Sequence, residues 1–132
     1  FYDLEDPCEF ARQVKEVLDT NGIWVLEQSY MPEMWRVNSF DTICHEHLSY
    51  YGMRQIKYIM DKVGFTILDF EFNDVNGGSI SVTVSPTGTE CTTKLVGVLA
   101  LEKEMKFHTV EPWKEFSEKI SFCRMCEKIC CT

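Results

Sequence analysis

Residues 41 to 52 read DTICHEHLSYYG, a run that sets two histidines, a glutamate, a cysteine and two tyrosines between apolar stretches. Three kinds of chemistry fit those residue types. An imidazole titrates near neutrality, ordinarily at about 6.5, so His45 or His47 can take and return a proton near physiological pH. Cys44, His45 and His47 are acceptable zinc donors, but so close a pair of histidines needs further ligands from elsewhere in the chain. The third reading is structural, a polar connection that shapes its surroundings without reacting. Tyr50 and Tyr51 are open in the same way, as ligand contacts or as packing ahead of the next element.

Three other stretches have comparable ambiguity. Glu27 and Gln28 follow the apolar run IWVL, at the carboxyl end of a strand, where open α/β sheets bind ligands. In NDVNGGS, residues 73 to 79, Asn76, Gly77 and Gly78 supply the positive φ angles of a turn, or they border a pocket and leave room for backbone contact. Cys123, Cys126, Cys130 and Cys131 offer four thiols near the C-terminus. A structural zinc site takes two separated pairs across a turn; here the thiols share one helical run, and Phe116, Ile120, Cys123 and Cys130 fit a single apolar face.

The elements that must position these groups follow from pattern. With 132 residues, 45% of them hydrophobic, the chain can bury one core. Acids outnumber bases 21 to 13 and the net charge is −8, which excludes a nucleic-acid partner because phosphate backbones need clustered Lys and Arg. No apolar run approaches the roughly 20 residues of a membrane span, and no signal-peptide pattern opens the chain. A cytoplasmic protein with thiols rather than disulfides among its seven cysteines is expected. The absent initiator methionine and the distinct cysteine-rich tail make both ends read as cuts.

EDPCEF starts a helix of about 14 residues: Asp6 caps it, Pro7 suits the first position, and Phe10, Val14, Val17 and Leu18 recur on one face until Asn21-Gly22. IWVL shows no polar alternation, which predicts a strand covered on both faces, as in a parallel sheet. A second helix is expected from Met53 to Val63, ended by Gly64, with Met53, Ile56, Met60 and Val63 inward. FTILDFEF places Leu68, Phe70 and Phe72 on one side of a strand, and SISVTVS alternates with Ile80, Val82 and Val84 inward. The link between these two strands is too short for a crossover helix and predicts an antiparallel hairpin. After Pro86 two more helices follow.

FYDLEDPCEFARQVKEVL, GIWVLEQSYMP, SFDTICHEHLSYYGMRQI and FNDVNGGSISVTV together resemble the second half of an S-adenosylmethionine-dependent C-methyltransferase of the type that acts on nucleotide-linked deoxy sugars. The resemblance covers about residues 1 to 85, and residues 95 to 120 are similar to the start of that family's C-terminal domain. It implies an α/β chain: residues 1–86 as the second half of a doubly wound, Rossmann-like methyltransferase sheet, entered after its fourth strand and ending in an antiparallel hairpin, and residues 87–132 as the start of a helical C-terminal domain.

The resemblance also implies the reaction, methylation of a carbon beside a sugar ketone, and assigns His47 as the base that removes the proton, with Glu46 orienting a ring or a sugar hydroxyl. His45, Tyr50, Tyr51, Asn76, Gly77, Gly78 and Glu27 are then expected around the substrate, a nucleotide sugar, with S-adenosylmethionine as cofactor and no metal. The seven glycines never form the glycine-rich turn that brings a backbone against a nucleotide cofactor, so the cofactor site is expected to be largely absent. The competing reading is a non-catalytic binding or assembly module, or a His/Cys metal-binding segment. In either case the sheet edge at Trp24, Val25 and Leu26 is expected to be open to self-association.

Overall fold

In the computed structural model the backbone is described for Phe1 and residues 3–130, and side chains for those residues except 76 and 123–130. The elements run α1 (Pro7–Val17), β1 (Trp24–Ser29), α2 (Met31–Val37), α3 (Met53–Val63), β2 (Thr66–Asn73), β3 (Ser79–Ser85), α4 (Thr92–Glu104) and α5 (Glu111–Cys130). The sheet order is β1-β3-β2, with β3 antiparallel to both neighbours, so β1 and β2 run parallel to each other. This is an α/β arrangement compatible with part of a methyltransferase fold.

The central strand carries the core. Ile80, Val82 and Val84 alternate inward and are fully buried beneath α3, whose Met53, Ile56 and Met60 are equally inaccessible. Ala11 of α1 and Leu95 and Val98 of α4 join the same cluster. The packing therefore crosses the boundary drawn at residue 86, and α4 shares the sheet's core. A second cluster joins α2 to α5 through Met31, Met34 and Phe116, with Trp35 and Trp113 beside them.

Asp6 caps α1 as expected, accepting from the Glu9 amide at 2.9 Å, but the helix stops after eleven residues. Ala11, Val14 and Leu18 face the core while Val17 stands in solvent. The pairing of β2 with β3 slips between Ile67 and Asp69. That bulge buries Ile67 in place of Leu68, which a strict two-residue alternation cannot anticipate.

The expectation of a strand covered on both faces is also corrected. Leu26 and Gln28 are buried, whereas Val25 is 55% exposed, and Ile23 before the strand stands open as well. α1, α3 and α4 pack on one face of the sheet; the opposite face carries Val25 beside Thr83 and Asp69, and Glu27 beside Ser81 and Glu71.

Ile80 sits where all three strands meet the helix layer. Ile80→Ala is expected to cost about 2–5 kcal/mol through lost transfer energy and the cavity left behind, measured by urea denaturation. An exposed control, Val96→Ala on α4, should change stability by less than about 0.5 kcal/mol.

Candidate active site

The histidine-rich segment is an excursion pinned at both ends. Where β1 ends, the Tyr30 amide donates to the Gly78 carbonyl at 3.0 Å, and the Met31 amide donates to the Tyr51 carbonyl at 2.9 Å. Residues 32 to 50 thus leave and re-enter the structure at neighbouring points. α2 ends on Asn38 in the left-handed region (φ 58°), a conformation asparagine tolerates, and a single 3-10 turn over Phe40–Thr42 follows.

That turn presents the Thr42 carbonyl inward. His47 donates to it through Nδ1 at 2.7 Å, and the Tyr50 hydroxyl approaches the same oxygen at 3.4 Å. An Nδ1–H committed to a carbonyl places the basic lone pair of a neutral imidazole on Nε2. The ring is half-buried and borders a small cavity of about 10 Å³ with Ser29, Met31, Met34, Ser49 and Tyr50. His45 and Glu46 point the other way, 90% and 73% exposed with 3.8 Å between them. The carbonyl of Thr42, which no residue-type reading singles out, is what holds the His47 ring.

The remaining predicted residues divide. Tyr50 packs against Met31 and lines the same cavity as His47. Tyr51 is 5% exposed within the main core, its ring 5.5 Å from that of Phe1, and burial pushes its hydroxyl pKa up. Glu27 lies on the open sheet face and accepts from Asn73 at 3.1 Å. Gln28 is not a solvated edge residue: it is 4% exposed and its amide has no hydrogen-bond partner. Gly77 and Gly78 both have positive φ, and a Cβ on Gly78 would fall 2.1 Å from Glu33 Cγ, so α2 packs closely on Gly78 while Gly77 stays exposed. The Asn76 side chain and those of Cys123, Cys126 and Cys130 lie outside the described residues, as does Cys131 altogether. Among the described residues no three His, Cys, Asp or Glu side chains are grouped to hold a metal ion, and no helix is long and apolar enough to cross a membrane.

Two clefts of similar size flank this segment. One, about 920 Å³, opens at the carboxyl ends of β1 and β2, between Tyr30, Phe72, Asp74, Val98 of α4 and Met105 just past its end. The other, about 890 Å³, lies between α3, α4 and the start of α5, and includes Tyr50, Arg54, Lys103 and Trp113.

Glu102 borders both clefts. Its carboxylate accepts from the Met53 amide at 2.5 Å, the Arg54 amide at 3.1 Å and the Tyr30 hydroxyl at 2.7 Å. Burial, then this hydrogen bond, raises the Tyr30 pKa, so the phenol remains a donor. Gly52 makes the approach feasible, because a Cβ there would lie 2.9 Å from Glu102 Oε1. In sequence, Glu102 sits in LEKEMK and reads as one more charge on a solvated face. Glu102→Ala should destabilise the protein by about 2–3 kcal/mol, since it strands three donors of a charged acceptor, and Glu102→Gln by less. Thermal unfolding of both variants checks the order.

No protein-family model matches the chain. It is similar to the C-methyltransferase NovU of Streptomyces niveus, with 29% identity over 119 residues, which is 89% of this chain and 28% of that protein. The chain thus spans just over a quarter of the relative's length. This similarity supports a methyltransferase family for the chain.

Proposed function

We propose that this chain is the substrate-side portion of an S-adenosylmethionine-dependent C-methyltransferase acting on a keto-deoxy-sugar nucleotide, with His47 as the base. The observation that carries the reading is the Nδ1 hydrogen bond from His47 to the Thr42 carbonyl at 2.7 Å. It fixes the tautomer that leaves Nε2 basic, and the same carbonyl stabilises the ring once it becomes a cation. The step assigned to His47 is removal of the proton from the carbon beside the ketone. The C–H bond breaks, Nε2 takes the proton, and the electron pair moves into an enolate whose carbon is then nucleophilic. Tyr50 lines the same small cavity as the ring, while His45 and Glu46, turned outward to solvent, stand away from the proton transfer. The strand order β1-β3-β2 with β3 reversed supports the end of a doubly wound methyltransferase sheet.

The residues described do not fit a methyl-donor site. β1 leads through Tyr30 straight into α2, with Tyr30, Met31 and Met34 buried and no glycine in the turn. The glycines of the β2–β3 turn are already faced by Ser39 and Glu33. The chain alone is therefore assigned the proton transfer and not the methyl transfer, and the donor would be held by residues outside it.

In a full-length enzyme carrying this segment, solvent deuterium should exchange into the sugar beside the ketone without any methyl donor. His47→Ala should lower that rate by about 10²- to 10⁴-fold, the usual worth of a positioned base, and His45→Ala by much less. Undiminished exchange in His47→Ala would overturn the assignment. The chain by itself is also expected to self-associate through β1, whose outer edge is unpaired among the described residues and flanked by the exposed Ile23 and Val25. Light scattering tests this, and a monomer of 15.4 kDa at high concentration would refute it.

A further inference from the structure

Tyr30, Tyr50 and Tyr51 lie at the ends of the histidine-bearing segment, and their side chains are committed to different degrees. The Tyr30 hydroxyl donates to the Glu102 carboxylate at 2.7 Å. Tyr51 is buried in the main core beside Phe1. The Tyr50 hydroxyl has its acceptor, the Thr42 carbonyl, at 3.4 Å, well beyond the distance of about 2.7–2.8 Å that hydroxyl donors prefer.

The Tyr50 ring, by contrast, is fixed. It packs with Met31 in the cluster that joins α2 to α5, and it meets the His47 imidazole edge-on, with 6.4 Å between ring centroids and 66° between the planes. Tyr50 also lines both the cleft between α3, α4 and α5 and the small cavity that His47 borders. A rigid ring thus carries a loosely held O–H donor to the boundary between an open cleft and the base.

The shared acceptor links the two side chains. Thr42 offers one carbonyl oxygen to both His47 Nδ1, at 2.7 Å, and the Tyr50 hydroxyl. When Nε2 takes a proton the ring becomes a cation, and its bond to that oxygen becomes charge-assisted and stronger. Turning the phenol away then forfeits only the weaker of the two bonds. The same proton transfer puts negative charge on the former ketone oxygen, an acceptor for such a donor.

We propose that Tyr50 is a catalytic residue of the proton-abstraction step, rotating its hydroxyl from the Thr42 carbonyl to the enolate oxygen. The C–H bond breaks, Nε2 of His47 takes the proton, and the electron pair forms the carbon–carbon double bond as the carbonyl pair moves onto oxygen. Tyr50 donates a hydrogen bond to that oxygen and keeps its own proton. The inference rests on the proposed function for the identity of the reaction.

The test is solvent-deuterium exchange in a full-length enzyme carrying this segment, without methyl donor, with thymidine-diphosphate-linked keto-deoxyglucose as the probe. Tyr50→Phe keeps the packing and removes the donor. It should lower the saturated exchange rate by about 10²- to 10³-fold, the usual loss when one oxyanion donor is removed, and leave the half-saturating probe concentration within about threefold of wild type. A monofluorinated tyrosine at position 50, a stronger donor still protonated at neutral pH, should exchange at the wild-type rate or faster. Tyr58→Phe, at an exposed tyrosine of α3, should leave the rate unchanged, and circular dichroism confirms that each variant is folded. In the chain alone, nitrogen NMR should find the same His47 tautomer in wild type and Tyr50→Phe, because the Thr42 carbonyl still holds Nδ1–H. Wild-type exchange in Tyr50→Phe, a rise in the half-saturating concentration alone, or a changed tautomer in that variant overturns the proposal and leaves His47 as the base. Undiminished exchange in His47→Ala beside slow exchange in Tyr50→Phe overturns the base and leaves Tyr50 as the donor to the enolate. No exchange in the wild-type enzyme overturns both.

Discussion

α3 is held at both ends by charge, and the arrangement of everything around the site depends on it. At its N-terminus the Glu102 carboxylate takes the Met53 and Arg54 amides; at its C-terminus the Lys15 ammonium donates to the carbonyls of Val63 and Gly64 at 2.9 and 2.8 Å. Each charge complements the helix dipole and satisfies groups the helix itself cannot. The two partners come from α4 and α1, so one helix fixes the positions of two others. Because Tyr30 donates to the same carboxylate, the end of β1 is tied to this frame as well, and with it the entry to the segment that carries His47.

The geometry of that segment follows from where its ends are tied. Tyr30 and Tyr51 are bridged in parallel, which leaves the intervening chain to close on itself. α2 and the 3-10 turn bring the Thr42 carbonyl to the His47 ring, five residues away in sequence, and the packing of Met31 and Met34 against Phe116 holds α2 in place. Of the two adjacent histidine positions only one acquires an environment. His45 is left to solvent beside Glu46, a surface contact of little energetic weight.

Charge separation between the clefts is likewise a product of assembly. Lys94 is neutralised by Asp69 across the sheet edge, and Lys57 by Asp61 and Glu90. Arg54 and Lys103 lie far apart in sequence, line one cleft and enter no ion pair among the described residues. Both lie beside Glu102, whose carboxylate joins α4 to the first turn of α3.

What the sequence determined by itself is whatever local physics decides. The N-cap of α1, the span of α3 with Gly64 behind it, the inward row Ile80, Val82 and Val84, and the short turn that forces β2 and β3 antiparallel all follow from neighbours a few residues apart. Tertiary structure decided the rest, because each remaining feature depends on groups distant in sequence. IWVL looks fit for burial on both faces, yet α1, α3 and α4 cover one, leaving Val25 exposed and the polar Gln28 inside. Leu68 and Ile67 exchange roles through a bulge that only pairing with β3 can create. Glu102 reads as a surface charge until Gly52, 50 positions earlier in the numbering, lets it reach a helix end. Residue type could mark the histidine-rich run for chemistry, but it could not distinguish His47 from His45, because a carbonyl oxygen that every residue carries acquires its function only from where the fold puts it.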